Sequence, residues 1–229
     1  MNFAIIAAGE GSRLVNEGCK WPKPLIRING ITLVERLIRV FIKNGALKVA
    51  VVINSNSNEV FDTLKNLQKL FPIEIIVKNT LSSMHSLYEL RNYITGDKFC
   101  VTTVDTVFRE EVFKKYIDAF YISSVDGLMG VTDYIDDERP LFVETNDKLD
   151  IIGFHDFADN CRYVSGGIYG LDSSVFDLLE RMINAGELRM RTFQRRLIDE
   201  NFKLKAYPFG KIIDVDHISD ISKAENLLS

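Results

Sequence analysis

The residues that most constrain this chain are 3–14, FAIIAAGEGSRL, where an apolar run passes straight into a Gly-x-Gly turn and an arginine. The run reads as a buried strand, and a strand that ends in such a turn opens an α/β unit. Gly9 and Gly11 lack a Cβ, so the chain can take positive φ there and bring backbone N–H groups against an anion. Ala8 and Ser12 complete the turn, and Arg13 offers a planar fork for two phosphate oxygens. Residues 22–25 add PKPL. Pro22 and Pro24 fix φ on either side of Lys23 and restrict the residues before them, which holds a compact ammonium in one direction. Taken singly, a ligand-free turn and a solvated lysine account for the same letters. Taken together, they outline a cradle for a nucleoside triphosphate.

Spacing separates this loop from two other glycine-rich phosphate loops. The dinucleotide fingerprint needs a third glycine where Leu14 stands, and the P-loop needs Gly-Lys-Ser/Thr, which the sequence lacks. AAGEGSRL followed by PKPL resembles the signature of sugar-phosphate nucleotidyltransferases and their phosphocholine cytidylyltransferase relatives. The stretch between, VNEGCKW, departs from the commoner arginine-proline-leucine-threonine run of that family, although its length fits. The resemblance implies transfer of a nucleotidyl group, with Arg13 and Lys23 as the catalytic cations.

The order of patterns places this loop in a sheet. FAIIAA is the first strand, 31–44 carries a helical apolar stripe that ends at Gly45, and KVAVVIN at 48–54 is the next strand. A helix from about Asn58 to Leu70 stops before Pro72; IEIIV at 73–77 is a third strand, MHSLYELRNYI a third helix, and KFCVTTVD a strand that ends on an acid. Beyond Asp126 the segments shorten to GLMGVTDY, LFVET, LDIIGF and SGGIYGLD, with a helix near 173–184, which predicts antiparallel additions. The expected fold is α/β, a three-layer α/β/α sandwich on a mainly parallel, Rossmann-like mixed sheet. At 229 residues the chain is expected to form one domain, with 1–125 as the nucleotide-binding half and 126–229 as the acceptor-binding half.

Composition excludes several partners. A net charge of −4 with 26% charged residues argues against a general nucleic-acid surface. The first apolar run is too short for a signal peptide and no stretch reaches membrane-spanning length, so no membrane partner is expected. Cys19, Cys100 and Cys161 leave one thiol over in any disulfide scheme, which suits a reducing cytoplasm. No Cys/His spacing resembles a zinc site.

Two distant acids complete the expected centre. Asp105 closes VTTVD at the carboxyl end of a strand, where ligands collect on open α/β sheets; a helix cap is its other use. The resemblance implies a magnesium-binding aspartate there, and Mg²⁺ as the cofactor. IIDVDHISDISKAENLL at 212–228 resembles the family's closing segment, an acid-x-acid strand before a terminal helix. Alternation along a strand puts Asp214 and Asp216 on one face, so both can point at one ion, with Asp216 the firmer ligand. Asp220 is expected in the first helical turn and His217 is expected to be structural. Magnesium needs few protein carboxylates because it keeps waters and takes phosphate oxygens.

The rest of the site is assigned by segment. NTLSSMHSLY follows the third strand, where the resemblance implies contacts to the nucleotide base; Asn79 and Ser83 are the candidates, with turn and cap roles as the alternative. Ser86 and Tyr88 resemble a segment of the phosphocholine branch, whereas YVSGGIYGLD resembles the acceptor strand of the sugar enzymes. A choline pocket would use Tyr88, Tyr163, Tyr169 and Trp21. A sugar site would use backbone N–H groups at Gly166 and Gly167 with Glu144. The leading expectation is a Mg²⁺-dependent enzyme of nucleotide-sugar type, joining an NMP from an NTP to a sugar 1-phosphate or similar phosphorylated acceptor with release of pyrophosphate. A phosphoalcohol acceptor and a non-catalytic nucleotide sensor on the same fold are the alternatives, and a homo-oligomer is compatible with all three.

Overall fold

The computed structural model describes residues 1–157 and 161–229. Strand β1 (Asn2–Ala7) is buried from Phe3 onward and leads through helix α1 (Ser12–Asn16) to a small hairpin of β2 (Arg27–Ile28) and β3 (Ile31–Thr32). Helix α2 (Leu33–Lys43) starts where the Thr32 hydroxyl accepts the Glu35 N–H at 3.3 Å, a side-chain cap for an otherwise orphaned donor. It ends two residues before Gly45, whose φ of 88° suits a residue without Cβ. Next come β4 (Val49–Ile53), α3 (Asn58–Leu67), β5 (Ile73–Val77), α4 (Ser83–Leu90) and β6 (Lys98–Thr103). The chain then forms β7 (Thr106–Val107), α5 (Glu110–Ile122), β8 (Gly127–Thr132), β9 (Phe142–Thr145), β10 (Ile151–His155) and β11 (Tyr163–Asp172). It closes with α6 (Val175–Asn184), α7 (Met190–Asp199), β12 (Leu204–Pro208), β13 (Ile213–Asp214) and α8 (Ile218–Leu228).

Among the described residues nine strands form one sheet in the order β10-β9-β11-β6-β1-β4-β5, with β8 on β11 and β12 on β8. Alternation along β1 divides the core. Phe3, Ile5 and Ala7 pack with residues of α2, α3, α5 and α8, while Ala4 and Ile6 pack with α4, α6 and α7. Phe41 of α2 stacks between Phe3 (5.0 Å) and Phe113 (5.4 Å), and truncating such a ring costs about 3–5 kcal/mol. The sandwich is therefore three-layered, as expected.

Topology fixes where a ligand can bind. From β1 the chain steps outward to β4 and β5 through α2 and α3 on one face, then returns over the other face through α4 to β6. All four strands are parallel, and the direction of progress reverses between β1 and β6. The crevice beyond the carboxyl ends of such a pair receives ligands in open α/β sheets. Both the glycine turn after β1 and Asp105 after β6 lie at that point.

The second half adds antiparallel strands, except that β12 runs parallel to β8. Helices α5 and α7 and strand β12 lie outside the elements expected from the sequence. Of α7 only Phe193, Gln194 and Leu197 are buried, too narrow a stripe to stand out in MRTFQRRLID. Strand β11 lies along β8 on one edge and shares its other edge between β9, at Tyr163 and Val164, and β6, from Ile168 onward. The register shifts between Ser165 and Ile168, which leaves a gap in the β11–β8 pairing.

Gly167 fills the gap with φ of 69°, and a Cβ there would lie 2.7 Å from Thr106 Oγ1 and 2.9 Å from Thr103 Oγ1. Gly167→Ala is predicted to lower the unfolding free energy by about 2–4 kcal/mol, combining left-handed backbone strain with overpacking. Urea titration checks this, and an unchanged midpoint would contradict the packing described.

Candidate active site

Four residues from distant parts of the chain form one line of ion pairs. The Lys23 ammonium donates to Asp105 Oδ2 and, at 2.5 Å, to Asp216 Oδ1, while Arg13 Nη1 donates to Asp216 Oδ2 at 2.6 Å. Lys23 heads a short 3-10 turn, Lys23–Leu25, entered from an extended Pro22 and anchored by buried Pro24 and Leu25. Gly11 makes room for it. Its φ is 63°, and a Cβ would lie 3.1 Å from Lys23 Cβ, so any side chain at 11 would push the lysine out of line. Gly9 differs from expectation: its φ is not positive, and a Cβ there would meet nothing within 4 Å.

The acids arrive by separate routes. Asp105 lies two residues past β6, and its carbonyl accepts the Val215 N–H at 3.1 Å. The β7–β13 ladder, Thr106 opposite Asp214, brings the two segments together. Asp214 and Asp216 do not converge by strand alternation as expected. The strand stops at Asp214, and the backbone folds so that the Asp216 N–H donates to the Asp214 carbonyl at 3.0 Å. Asp220, in the first turn of α8, accepts the backbone N–H groups of Asp216 (3.1 Å) and His217 (2.8 Å), so it holds the loop that carries Asp216. His217 Nδ1 pairs with Glu17, outside the carboxylate group.

Electrostatics follow from this crowding. Burial works against the charged form of Lys23, but the two carboxylates overcome it and raise its affinity for a proton. Burial likewise opposes ionisation of Asp105, yet the Lys23 ammonium and the Thr103 hydroxyl hold its carboxyl below the usual range. Asp214 opens onto the cleft but loses hydration and faces Asp105 and Asp216, which together push its carboxyl up to about 7.

These residues fit a hard divalent cation. Asp105 Oδ1 is buried and has no hydrogen-bond partner among the described residues, an anionic oxygen still in want of positive charge. A carboxylate from the middle of the chain and one from near its end match the habit of Mg²⁺, which needs few protein ligands because it keeps waters and takes phosphate oxygens. Among the described residues no group of three or more His, Cys, Asp or Glu side chains is arranged to hold a metal. The offered pair is Asp105 and Asp216, and Asp214 stands beside it as the high-pKa neighbour.

Two clefts flank this centre, one lined by the start of the glycine turn and the other by the acids themselves. Ala8 and Gly9 line a large open one together with Asn79 and Ser86. Asn79 Oδ1 accepts from the N–H (2.9 Å) and hydroxyl (3.0 Å) of Ser55, so it ties neighbouring loops together. Ser82, not Ser83, caps α4, and Ser83 does not line the cleft; Ser12 is exposed at the start of α1. Ser86 is buried on this side, bonded to Thr80 (2.7 Å) and to the Ser82 carbonyl (3.2 Å), so its geometry does not match the acceptor role expected of it. The Tyr88 hydroxyl donates to Glu180 and its ring stacks on Arg91 at 3.5 Å, and Tyr88 lines neither of the two clefts.

The second cleft, about 210 Å³, contains Asp105, Asp214, Asp216 and Gly167. Its far wall holds Arg139, Arg191 and Gln194. Gln194 is buried and donates to Ser165 Oγ at 3.2 Å, and burial pushes the neighbouring Tyr169 phenol up to about 12. Gly166 serves packing, since a Cβ would lie 2.3 Å from Ile212 Cδ1. Glu144 pairs with His155 on the β9–β10 hairpin, outside this cleft. The aromatic residues considered for a choline cage are dispersed, with Trp21 in the first cleft and Tyr88 on α4. The sequence does carry one cue to Gln194: a polar residue on the stripe of Phe193 and Leu197.

The glycine turn, the proline-framed lysine and Asp105 all lie within a stretch of the chain that matches one domain family. Residues 3–199 match the MobA-like NTP transferase domain. The chain belongs to that family. It is therefore a nucleotidyltransferase. The bifunctional protein GlmU of Methanococcus maripaludis is 28% identical over 233 residues, covering 99% of this chain and 54% of that protein. The chain thus spans about half the length of that relative. The family fold is shared with the inositol-1-phosphate CTP transferase of T. maritima (TM-score 0.83, 20% identity, 100% of this chain and 97% of that one). It is also shared with the CTP:phosphocholine cytidylyltransferase of Streptococcus pneumoniae (TM-score 0.79, 17% identity, 100% and 99%). No helix among the described residues is long and apolar enough to cross a membrane.

Asp214 gives a pH test of the family's charge centre in this chain. Its folded pKa lies above the ordinary carboxylate value, so ionising it disfavours the fold progressively as pH rises from about 4 toward 7 and fully above that. Asp214→Asn is predicted to raise the melting temperature of the free protein at pH 8 and to leave it nearly unchanged at pH 4. A gain confined to low pH would contradict the arrangement.

Proposed function

We propose that this nucleotidyltransferase joins an NMP from an NTP to a small phosphorylated, hydroxyl-bearing acceptor such as a sugar 1-phosphate, and releases pyrophosphate. The observation that carries the reading is the ion-pair line Arg13–Asp216–Lys23–Asp105 at the reversal point of the sheet, with one oxygen of Asp105 unpartnered. Two cations and two anions neutralise each other there, so an incoming triphosphate can take over the cations while the carboxylates hold a divalent cation. Residues of 1–125 would serve the nucleotide and residues of 126–229 chiefly the acceptor.

An acceptor phosphate is already ionised at neutral pH and needs no general base. Its oxygen forms a bond to the α-phosphorus, the bond from that phosphorus to the bridging oxygen breaks, and pyrophosphate leaves with the electron pair. Positioning and charge neutralisation then supply the catalysis. Lys23, framed by two prolines and steered by Asp105 and Asp216, would bridge the two reacting anions. Arg13 grips the triphosphate as a fork. Mg²⁺ held by Asp105 and Asp216 would supply charge neutralisation on the phosphate oxygens.

The second cleft supports a hydroxyl-bearing acceptor over a quaternary ammonium. Its Ser165–Gln194 pair, with Gln194 buried, presents hydrogen-bonding groups that suit hydroxyls, while Tyr169 is the one aromatic residue among the described residues that line it, too few faces for a quaternary ammonium.

Incubation with each NTP, Mg²⁺ and a panel of phosphorylated acceptors, read out as pyrophosphate, tests the reading. Release that depends on a sugar or cyclitol phosphate is predicted; NTP binding without acceptor-dependent release across the panel would favour the sensor. Lys23→Ala is predicted to lower turnover by roughly 10²–10³, the scale for one preorganised charge-stabilising donor. Asp105→Asn and Asp216→Asn should each raise the Mg²⁺ concentration needed for half-maximal activity, with strongly non-additive effects in the double variant. Near-normal Mg²⁺ titrations for both would remove the carboxylates from the metal.

A further inference from the structure

Trp21 is the chain's one tryptophan, and 62% of it is exposed. A tryptophan ring left in water keeps its large flat face available to a ligand. The ring is set by its neighbours. Pro22 restricts Trp21 to extended backbone, and the Trp21 carbonyl accepts a hydrogen bond from Cys19 Sγ at 3.6 Å.

Trp21 lines the large cleft that begins at Ala8 and Gly9. Leu81, 79% exposed on the loop after β5, lines the same cleft. Strand β4 separates β1 from β5, so the two apolar side chains are carried by segments that flank the loop after β4. Asn54, on that loop, is tied down by its own bonds to the Ala8 carbonyl, the Asn56 N–H and the Ser57 hydroxyl, while Asn56 and Asn58 also line the cleft and carry polar side chains of the kind that suit the edge of a flat heterocycle. The cleft therefore joins the start of the glycine turn, at Ala8 and Gly9, to an exposed aromatic side chain and an exposed aliphatic one. From this juxtaposition we propose that Trp21 is the stacking platform for the nucleobase of the bound NTP, with Leu81 covering the other face. The proposal rests on the nucleotide site put forward above and adds a binding residue to it.

Stacking on a tryptophan is tolerant of base identity, because every base has a π face. Binding of any NTP is then expected to change the emission of the lone tryptophan, saturably, at the concentrations that calorimetry reports for the same NTP. Trp21→Ala should weaken NTP binding by roughly 5- to 100-fold, the range for losing one base–aromatic stack, and Trp21→Phe should restore most of it. Inorganic tripolyphosphate, which has no base, is the control. Its affinity should be the same for the wild-type protein and both variants. The side chain is exposed, so melting curves of the variants should overlay the wild type.

The outcomes separate the two levels of inference. If neither NTPs nor tripolyphosphate bind the wild-type protein, the nucleotide site itself fails and the stacking role falls with it. If both bind but Trp21→Ala weakens neither, or weakens both equally, the nucleotide site stands and the stacking proposal is overturned. Emission that ignores every NTP yet shifts with protein concentration would assign Trp21 to a contact between copies of the chain, and would also overturn it.

Discussion

The centre of this protein depends on one ammonium held between two carboxylates. Lys23 reaches Asp105 across 82 positions and Asp216 across 193. Each contact closes a long loop, and each partner is costly to bury alone. Breaking a largely buried pair by deleting one member leaves an uncompensated charge, a loss of about 3–5 kcal/mol in comparable sites. The arrangement holds only because the β7–β13 ladder and Asp220 bring the Asp216 loop against the end of β6.

That geometry also explains why the resting site is charge-balanced. Arg13 and Lys23 are not free to wait for phosphate; Asp216 engages both. Anion binding is then an exchange of partners and not a simple addition, which couples the nucleotide to whatever cation the carboxylates hold. Asp214, pushed toward neutrality by the same crowding, keeps the local charge from becoming strongly negative below its pKa of about 7.

The sequence made the first half of the fold readable because its period-2 and period-3.6 patterns are clean and its turns are punctuated by glycine and proline. The site was readable where chemistry and backbone coincide: Gly11 needs positive φ, and Lys23 needs its prolines. It was less so where tertiary contacts decide. Nothing local shows that Asp216 leaves its strand, that Ser86 turns inward to Thr80, or that Tyr88 faces Glu180. Arg139, Arg191 and Gln194 line one cleft although a loop and helix α7 carry them separately, which no short-range pattern encodes.

The most direct test of the account is a double-mutant cycle on unfolding free energy for Lys23→Met and Asp105→Asn, measured by urea titration at pH 7. If the ammonium is held as described, the two changes will be coupled by about 1–3 kcal/mol, because removing either partner already strands the other. Additivity within about 0.5 kcal/mol would mean that Lys23 does not sit between the acids, and would contradict the account.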